Sequence, residues 1–317
     1  MRKKDLLGIK DLSAREIMCL LEMAKNEKPK IKNKQLRDSS LKNLSLTTLF
    51  YENSTRTKLS FLLAGEYLGA MADDLNIATS SVSKGETLID TGLTLDRMGT
   101  NVIVIRHGMV GSAHLLARNV SASVINGGDG SNEHPTQALL DMFTIQEYKG
   151  DFKNLKVVIL GDINNSRVAR SNIFGLTKLG ADVTLAGPAT LVSRNMEEAL
   201  GVVVTNDVTE AIKGADVIMG LRVQLERQQG NFPSLAEYSH FFGLSAEHLK
   251  FAKEDALIMH PGPVNRGVEL STDLIDGDRS VIYDQVENGI AVRMAILKYL
   301  AAESKAVRIV KQQKIAI

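Results

Sequence analysis

With one cysteine, Cys19, in 317 residues, the chain cannot form an internal disulfide, and no Cys/His group has the spacing of a zinc site. A reducing compartment fits this usage. No charge of one sign dominates: 38 Lys and Arg against 37 Asp and Glu leave a formal charge of +1. That excludes a global electrostatic footprint for nucleic acid or a membrane surface, so any anion site must be local. No apolar run approaches membrane-spanning length, and charges interrupt the basic start MRKKDLLGIKDLSAREIM before a signal-peptide apolar core can form. The expectation is a cytoplasmic protein with neither a nucleic-acid nor a membrane partner. Chemistry-bearing motifs are missing too. P-loop spacing and G-x-S-x-G do not occur, and Gly161-Asp162-Ile163-Asn164-Asn165-Ser166-Arg167 follows a strand pattern without G-x-G-x-x-G spacing. No nicotinamide, other cofactor or metal is expected.

What is present is ordinary globular material, 44% apolar and 24% charged, in a length that suits two domains. Ser13 with Glu16 ahead of IMCLLEMA is a capping-box signature and predicts a helix from about Ala14 to Lys25, followed by the polar connection NEKPKIKNKQLRDSS. LSLTTLF then reads as a strand that feeds a helix from Ser54 to near Gly69. Helical GETLIDTGLTLDRMG, strand NVIVIRH, helical SAHLLARNV, strand SVING and a long helix from Pro135 to about Tyr148 follow. From Leu155 the rhythm restarts with KVVILGD, helical SRVARSNIFGLTKLG, strand ADVTLAG, a helix at Asn195 to Leu200, VVVTN, VTEAIKG and ADVIMG. Strand and helix alternation of this kind predicts parallel α/β sheets in two units. The divide is expected near Gly150 and Asp151, in a turn-forming stretch, giving domains 1–150 and 151–285. A last helix from about Val286 to Glu303, within a C-terminal segment 286–317, packs back on the first domain in this scheme, and the tail KAVRIVKQQKIAI reads as a solvated, frayed end.

Several strand-to-loop junctions carry donors or cations. Ser54-Thr55-Arg56-Thr57 sits where a strand ends and a helix begins, so free amides, hydroxyls and a guanidinium can converge on an anion. Alone, the same four residues also describe a capped helix with a solvated Arg. The Gly-rich run Asn126 to Asn132 leads through Glu133 to His134, Pro135, Thr136 and Gln137, with Pro135 at a first helical position. A helix N-terminus disfavours an imidazolium, which makes His134 a neutral hydrogen-bond donor if it faces a ligand, and an ordinary solvated cap if it does not. Arg106 and Arg222 close strands at their carboxyl ends, where open α/β sheets bind ligands, although such an Arg is commonly just solvated. Ser80 to Glu86 reads as a polar connection or a lid carrying Lys84. Met259-His260-Pro261-Gly262-Pro263 reads as a rigid turn whose X-Pro bonds are candidates for the cis form. No loop offers paired carboxylates or a metal cluster, so the ligand is expected to be anionic. His107, His114, His240 and His248 read as surface or packed imidazoles.

With STRT, SKGET, HPTQ, RVQ and HPGP in this order, and GDGSNEHPTQALLDMFTIQE as a continuous stretch, the chain resembles the aspartate/ornithine carbamoyltransferases over essentially its whole length, and most of all their bacterial aspartate-specific members. The resemblance implies two doubly wound parallel-sheet domains, the first binding carbamoyl phosphate and the second aspartate, with the active site in the cleft between them. It implies transfer of the carbamoyl group to the amine of L-aspartate in de novo pyrimidine biosynthesis. Residue by residue, it puts Ser54, Thr55, Arg56 and Thr57 on the phosphate, and Thr57, Arg106 and His134 on the carbonyl oxygen. Gln137, with the main-chain carbonyls of Gly262 and Pro263, would take the carbamoyl amide. Arg167, Arg222 and Gln224 would take the aspartate carboxylates, while Ser80 and Lys84 would act in a neighbouring subunit's site, which requires a homotrimer. Many relatives have Leu where this chain has Gly262; a main-chain contact survives that change.

Two alternatives are separable on sequence. An ornithine-specific enzyme would be expected to carry H-C-L-P in the last loop and an S-M-G segment, and this chain has neither. Lys84, Arg222 and Gln224 favour a dianionic amino acid over a cationic one. A catalytically dead binding paralogue would be expected to have relaxed Arg56, Thr57, Arg106, His134 and Gln137, all of which are intact. A regulatory chain is possible, but nothing in the sequence indicates one.

Overall fold

A computed structural model describes the backbone of residues 3–33, 38–223 and 234–315 and the side chains up to residue 302. Its strands are β1 Ser45–Phe50, β2 Met71–Leu75, β3 Val102–His107, β4 Ser123–Asp129, β5 Lys156–Leu160, β6 Asp182–Ala186, β7 Val203–Thr205, β8 Val217–Gly220 and β9 Leu257–Met259. Among the described residues they form a four-stranded sheet in the order β2-β1-β3-β4 and a five-stranded sheet in the order β7-β6-β5-β8-β9. Every pairing is parallel. The two parallel-sheet α/β domains read from the alternation are therefore present. By packing, one compact unit comprises Met1–Thr136 with Asn288–Ile317 and the other Gln137–Glu287. This division falls inside the helix Pro135–Lys149.

In the first unit β1, β3 and β4 are buried along nearly all their length, as strands covered on both faces are, and the run VIVI of β3 is apolar and β-branched throughout. Sequence reading passes over β2. MADDL lacks alternation and β-branched residues, and it becomes a strand because β1 offers it a backbone partner at the sheet's edge. Asp74 fixes that edge, accepting from Thr48 Oγ1 at 2.6 Å and from Lys58 Nζ at 2.8 Å.

The first helix begins at the expected capping box, with Glu16 N donating to Ser13 Oγ at 3.2 Å and Ser13 N donating to Glu16 Oε2 at 2.7 Å. It runs to Lys32, through Pro29, and not to Lys25. The extension follows from ion pairing rather than from apolar periodicity. Buried Glu27 binds Lys30 at 3.0 Å and Lys298 at 2.8 Å, and Lys298 also binds Asp38 at 2.7 Å. Lys298 belongs to the helix Ile282–Ile315, which starts earlier and ends later than the sequence suggests, its tail being helical. No Gly or Pro follows Gly289 to stop it.

Burial alone would raise the Asp38 carboxyl, yet hydrogen bonds from Lys298 and Ser40 hold it well below the usual carboxylate range. A depressed carboxylate contributes stability above its unfolded value, near 4, and loses it as pH falls toward the folded value. Lys298→Met is thus expected to cost about 1–2 kcal/mol at neutral pH. Urea unfolding of both proteins should show the difference narrowing below about pH 4.

In the second unit β5 is central, with β6 and β8 beside it. Val158, Leu160, Ile218 and Ile258 from β5, β8 and β9 pack with Ile212 and Leu270 in one buried cluster. Each such side chain contributes about 1.5–3 kcal/mol of burial. The short helices Leu235–Phe242 and Thr272–Ile275 have no counterpart in the sequence reading.

Candidate active site

Because each sheet is all-parallel, every loop that follows a strand opens on that sheet's carboxyl edge. In the first unit this gathers four segments: Ser54 to Thr57 after β1, Ser80 to Lys84 after β2, Arg106 in the final turn of β3, and the run to His134 after β4. In the second unit Arg167 follows β5, Arg222 follows β8, and Gly262 and Pro263 follow β9. Gln224 lies outside the described residues.

The β1 loop leads directly into a helix N-terminus. Ser54 occupies the N-cap position of the helix Thr55–Tyr67, and its hydroxyl makes no capping hydrogen bond. The amides of the helix's first turn have no intrahelical acceptor, which makes this end of the helix electropositive. Thr55 and Arg56 are exposed and Thr57 is 5% exposed, its hydroxyl carried on the helix's first turn. Arg106 pairs in register with Phe50 on β1, so it stands beside the start of that loop. Its Nη1 donates to Gly127 O at 3.3 Å and its Nε lies 3.5 Å from Glu52 Oε2, contacts that aim the guanidinium. The neighbouring His107 packs tilted against Tyr51, with ring centroids 4.6 Å apart, and accepts from Met109 N at 2.9 Å. Burial holds its imidazole below the ordinary value, against Glu52 and Asp129, so it serves as a neutral packing group.

The β4 loop is held from within. Asp129 accepts from Asn126 Nδ2 at 2.7 Å, Glu133 N at 3.1 Å and Gly111 N at 2.8 Å. Gly130 adopts φ 52°, and a Cβ there would lie 2.8 Å from Gly108 O, so only glycine fits. Glu133 accepts from Ile9 N at 2.7 Å, tying the loop to the N-terminal segment. His134 emerges from this frame 3% exposed, with its Nδ1 3.4 Å from Thr136 Oγ1, and Pro135 is the first helical residue as expected. Ser80 and Lys84 lie on two consecutive 3₁₀ turns ending at Gly85 in the left-handed region; Ser80 Oγ donates to Ile77 O at 2.9 Å and Lys84 is exposed.

In the second unit Arg167 is buried at the first position of the helix Arg167–Lys178, whose N-cap Ser166 accepts from Ala169 N at 3.1 Å. Arg222 is half-buried, and the next residue, Val223, donates its amide to Glu269 Oε1 at 2.9 Å. Gly262 sits at φ 66° ahead of a cis peptide bond to Pro263, with its amide donating to His260 Nδ1 at 2.9 Å. Gln137 is buried and donates from Nε2 to Asp141 Oδ1 at 2.9 Å. Among the described residues, no group of His, Cys, Asp or Glu is arranged to hold a metal ion, and no helix is long and apolar enough to cross a membrane.

Residues 4–147 match the family model of the aspartate/ornithine carbamoyltransferase carbamoyl-P binding domain, and residues 153–300 match that of the Asp/Orn binding domain. The chain belongs to the aspartate/ornithine carbamoyltransferase family. It is 62% identical to the aspartate carbamoyltransferase catalytic subunit of Acetivibrio thermocellus and 59% identical to that of Ruminiclostridium cellulolyticum, in each case over 95% of this chain and 96% of the relative. Its fold is similar to that of Trypanosoma cruzi aspartate transcarbamoylase solved with carbamoyl aspartate and phosphate, with a TM-score of 0.86 and 30% identity over 94% of this chain and 96% of that one. It is also similar to ornithine carbamoyltransferase from Pyrococcus furiosus, with a TM-score of 0.82 and 34% identity over 92% and 95% of the two chains.

Within this carbamoyltransferase frame, the residues that sequence reading missed are those that hold the residues expected to face a ligand. Glu52 is legible in part, since it stands two residues before Ser54. Asp141 is one helical turn past Gln137, an i, i+4 spacing that signals contact. Glu269 and Gln285 are distant in sequence from the groups they hold, and no local pattern points to them.

Proposed function

We propose that the chain transfers the carbamoyl group of carbamoyl phosphate to the amine of L-aspartate, yielding N-carbamoyl-L-aspartate and phosphate, in de novo pyrimidine biosynthesis in the cytoplasm. The observation that carries this reading is identity of about three residues in five, end to end, with catalytic subunits named for that reaction. Residues 1–150 bind carbamoyl phosphate and residues 151–285 bind aspartate, with the C-terminal segment 286–317 returning to the first domain.

Ser54, Thr55, Arg56 and Thr57 take the phosphate. The uncharged aspartate amine attacks the carbamoyl carbon, a C–N bond forms, and charge gathers on the carbonyl oxygen. Thr57, Arg106 and neutral His134 donate to that oxygen, and donors fixed in advance lower the barrier more than they stabilise the bound substrate. The C–O bond to phosphate then breaks, and the departing phosphate accepts the amine proton. No general base and no covalent enzyme intermediate are needed. Gln137, with the carbonyls of Gly262 and Pro263, orients the carbamoyl amide. Arg167, Arg222 and Gln224 hold the aspartate carboxylates, for which planar guanidinium forks are suited.

Ser80 and Lys84 serve a neighbouring subunit in a homotrimer. Their position supports this: the loop follows β2, the outermost strand of its sheet, and Lys84 is exposed in the single chain. Arg222→Ala removes a charge-assisted carboxylate contact and is expected to raise KM for aspartate about 10–100-fold. KM for carbamoyl phosphate should stay within a few-fold, and steady-state kinetics with each substrate varied in turn checks both values. Carbamoyl transfer measured with aspartate and with ornithine tests the reading as a whole.

A further inference from the structure

Asp141 lies at the centre of a buried amide cluster in the second unit. The residue is 0% exposed, Asn172 is 0% exposed and Gln285 is 3% exposed. Its Oδ1 accepts from Gln137 Nε2 at 2.9 Å and from Gln285 Nε2 at 2.7 Å, while Oδ2 accepts from Asn172 Nδ2 at 2.8 Å. The direction of these bonds is fixed from outside the cluster. The amide of His260 can only donate, and it does so to Gln285 Oε1 at 2.9 Å, so Gln285 must turn its NH₂ to Asp141. The carbonyl of Val168 can only accept, and it takes Asn172 Nδ2 at 3.1 Å, so Asn172 must do the same. Both Asp141 oxygens therefore act as acceptors, and the remaining amide, that of Gln137, is forced to present Nε2 inward.

From this geometry we infer that Asp141 is a positioning residue which sets the flip of the Gln137 amide, leaving Oε1 as the group offered to substrate. An outward carbonyl oxygen accepts a hydrogen bond from an NH₂ group and has nothing to offer a methyl group. The consequence, which rests on the carbamoyl-transfer reading, is that Asp141 makes the site select a carbamoyl group over an acetyl group of nearly the same shape. The same carboxylate, through Gln285, also anchors the main chain at His260, where the His260-Pro261-Gly262-Pro263 turn begins.

The test compares carbamoyl phosphate, acetyl phosphate and inorganic phosphate as ligands of the full-length enzyme and of Asp141→Ala. The ratio of the acetyl phosphate inhibition constant to the KM for carbamoyl phosphate is expected to fall about tenfold or more in Asp141→Ala. The inhibition constant for inorganic phosphate should stay within about twofold, since phosphate has no amide to select. Gln137→Ala combined with Asp141→Ala should be no less selective than Gln137→Ala alone, because the two act as one unit. An unchanged ratio, or a phosphate affinity that falls as far as the ratio does, overturns the inference. If Asp141→Ala does not fold, a neutron structure of the unaltered enzyme decides: deuterons on the Gln137 atom facing Asp141 support the assignment, and deuterons on the atom facing away overturn it. That result stands apart from the reaction itself, whose failure would appear as absence of transfer to aspartate in the unaltered enzyme.

Discussion

Arg106→Ala is expected to lower kcat by about 10²–10³-fold while leaving KM for aspartate within a few-fold. The expectation rests on what the guanidinium can meet at each stage. It is the penultimate residue of β3, at the carboxyl edge, braced by Gly127 O and Glu52, beside the loop that starts after β1. A neutral carbonyl oxygen gains little from a fixed cation, whereas the charge that develops on attack gains much. Loss of the side chain therefore falls on the step and not on binding. The fold should persist, since strand pairing of β3 uses main-chain groups. Stopped-time product assays across both substrate concentrations give the split, and an effect confined to KM would remove Arg106 from the carbonyl oxygen.

Mixing two inactive chains should restore activity. In the proposed trimer a chain with Lys84→Ala keeps its own Arg106, and a chain with Arg106→Ala keeps the Lys84 that a neighbour would use. In randomly assembled trimers of a one-to-one mixture, a site has its own Arg106 half the time and a neighbour's Lys84 half the time, so about one quarter of the sites are whole. Each parent is expected at about 1% of unaltered activity or less. Co-refolding the two variants, followed by a rate measurement per chain, checks the figure. A mixture no more active than its parents would place Lys84 in its own chain's site.

The sequence carries the fold well where a local signal exists. Ser13 with Glu16 starts the first helix, Pro135 starts the long one, and VIVI and VVIL are buried strands. It fails where the cause is not local. Glu27 extends the first helix by binding Lys298, 271 positions away, and β2 exists because β1 offers an edge. The site divides in the same way. Residues proposed to face a ligand stand at strand ends, where charge and hydroxyl groups are conspicuous, and Ser54, Arg106, His134 and Arg222 are found there. Residues that hold the segments beside them, such as Asp129 and Glu269, or that hold Gln137, as Asp141 does, are carboxylates in the interior. In a sequence these look like any other acid, and their partners come from distant elements. What joins them to the site is the cost of burying a charge without donors, which becomes visible only when the donors are in place.

The most direct measurement is product formation by the purified chain with carbamoyl phosphate and either L-aspartate or L-ornithine, following the ureido product and phosphate release together. The account predicts equimolar N-carbamoyl-L-aspartate and phosphate with aspartate, and no product above background with ornithine. Citrulline from ornithine, or phosphate released without any ureido product, would contradict it.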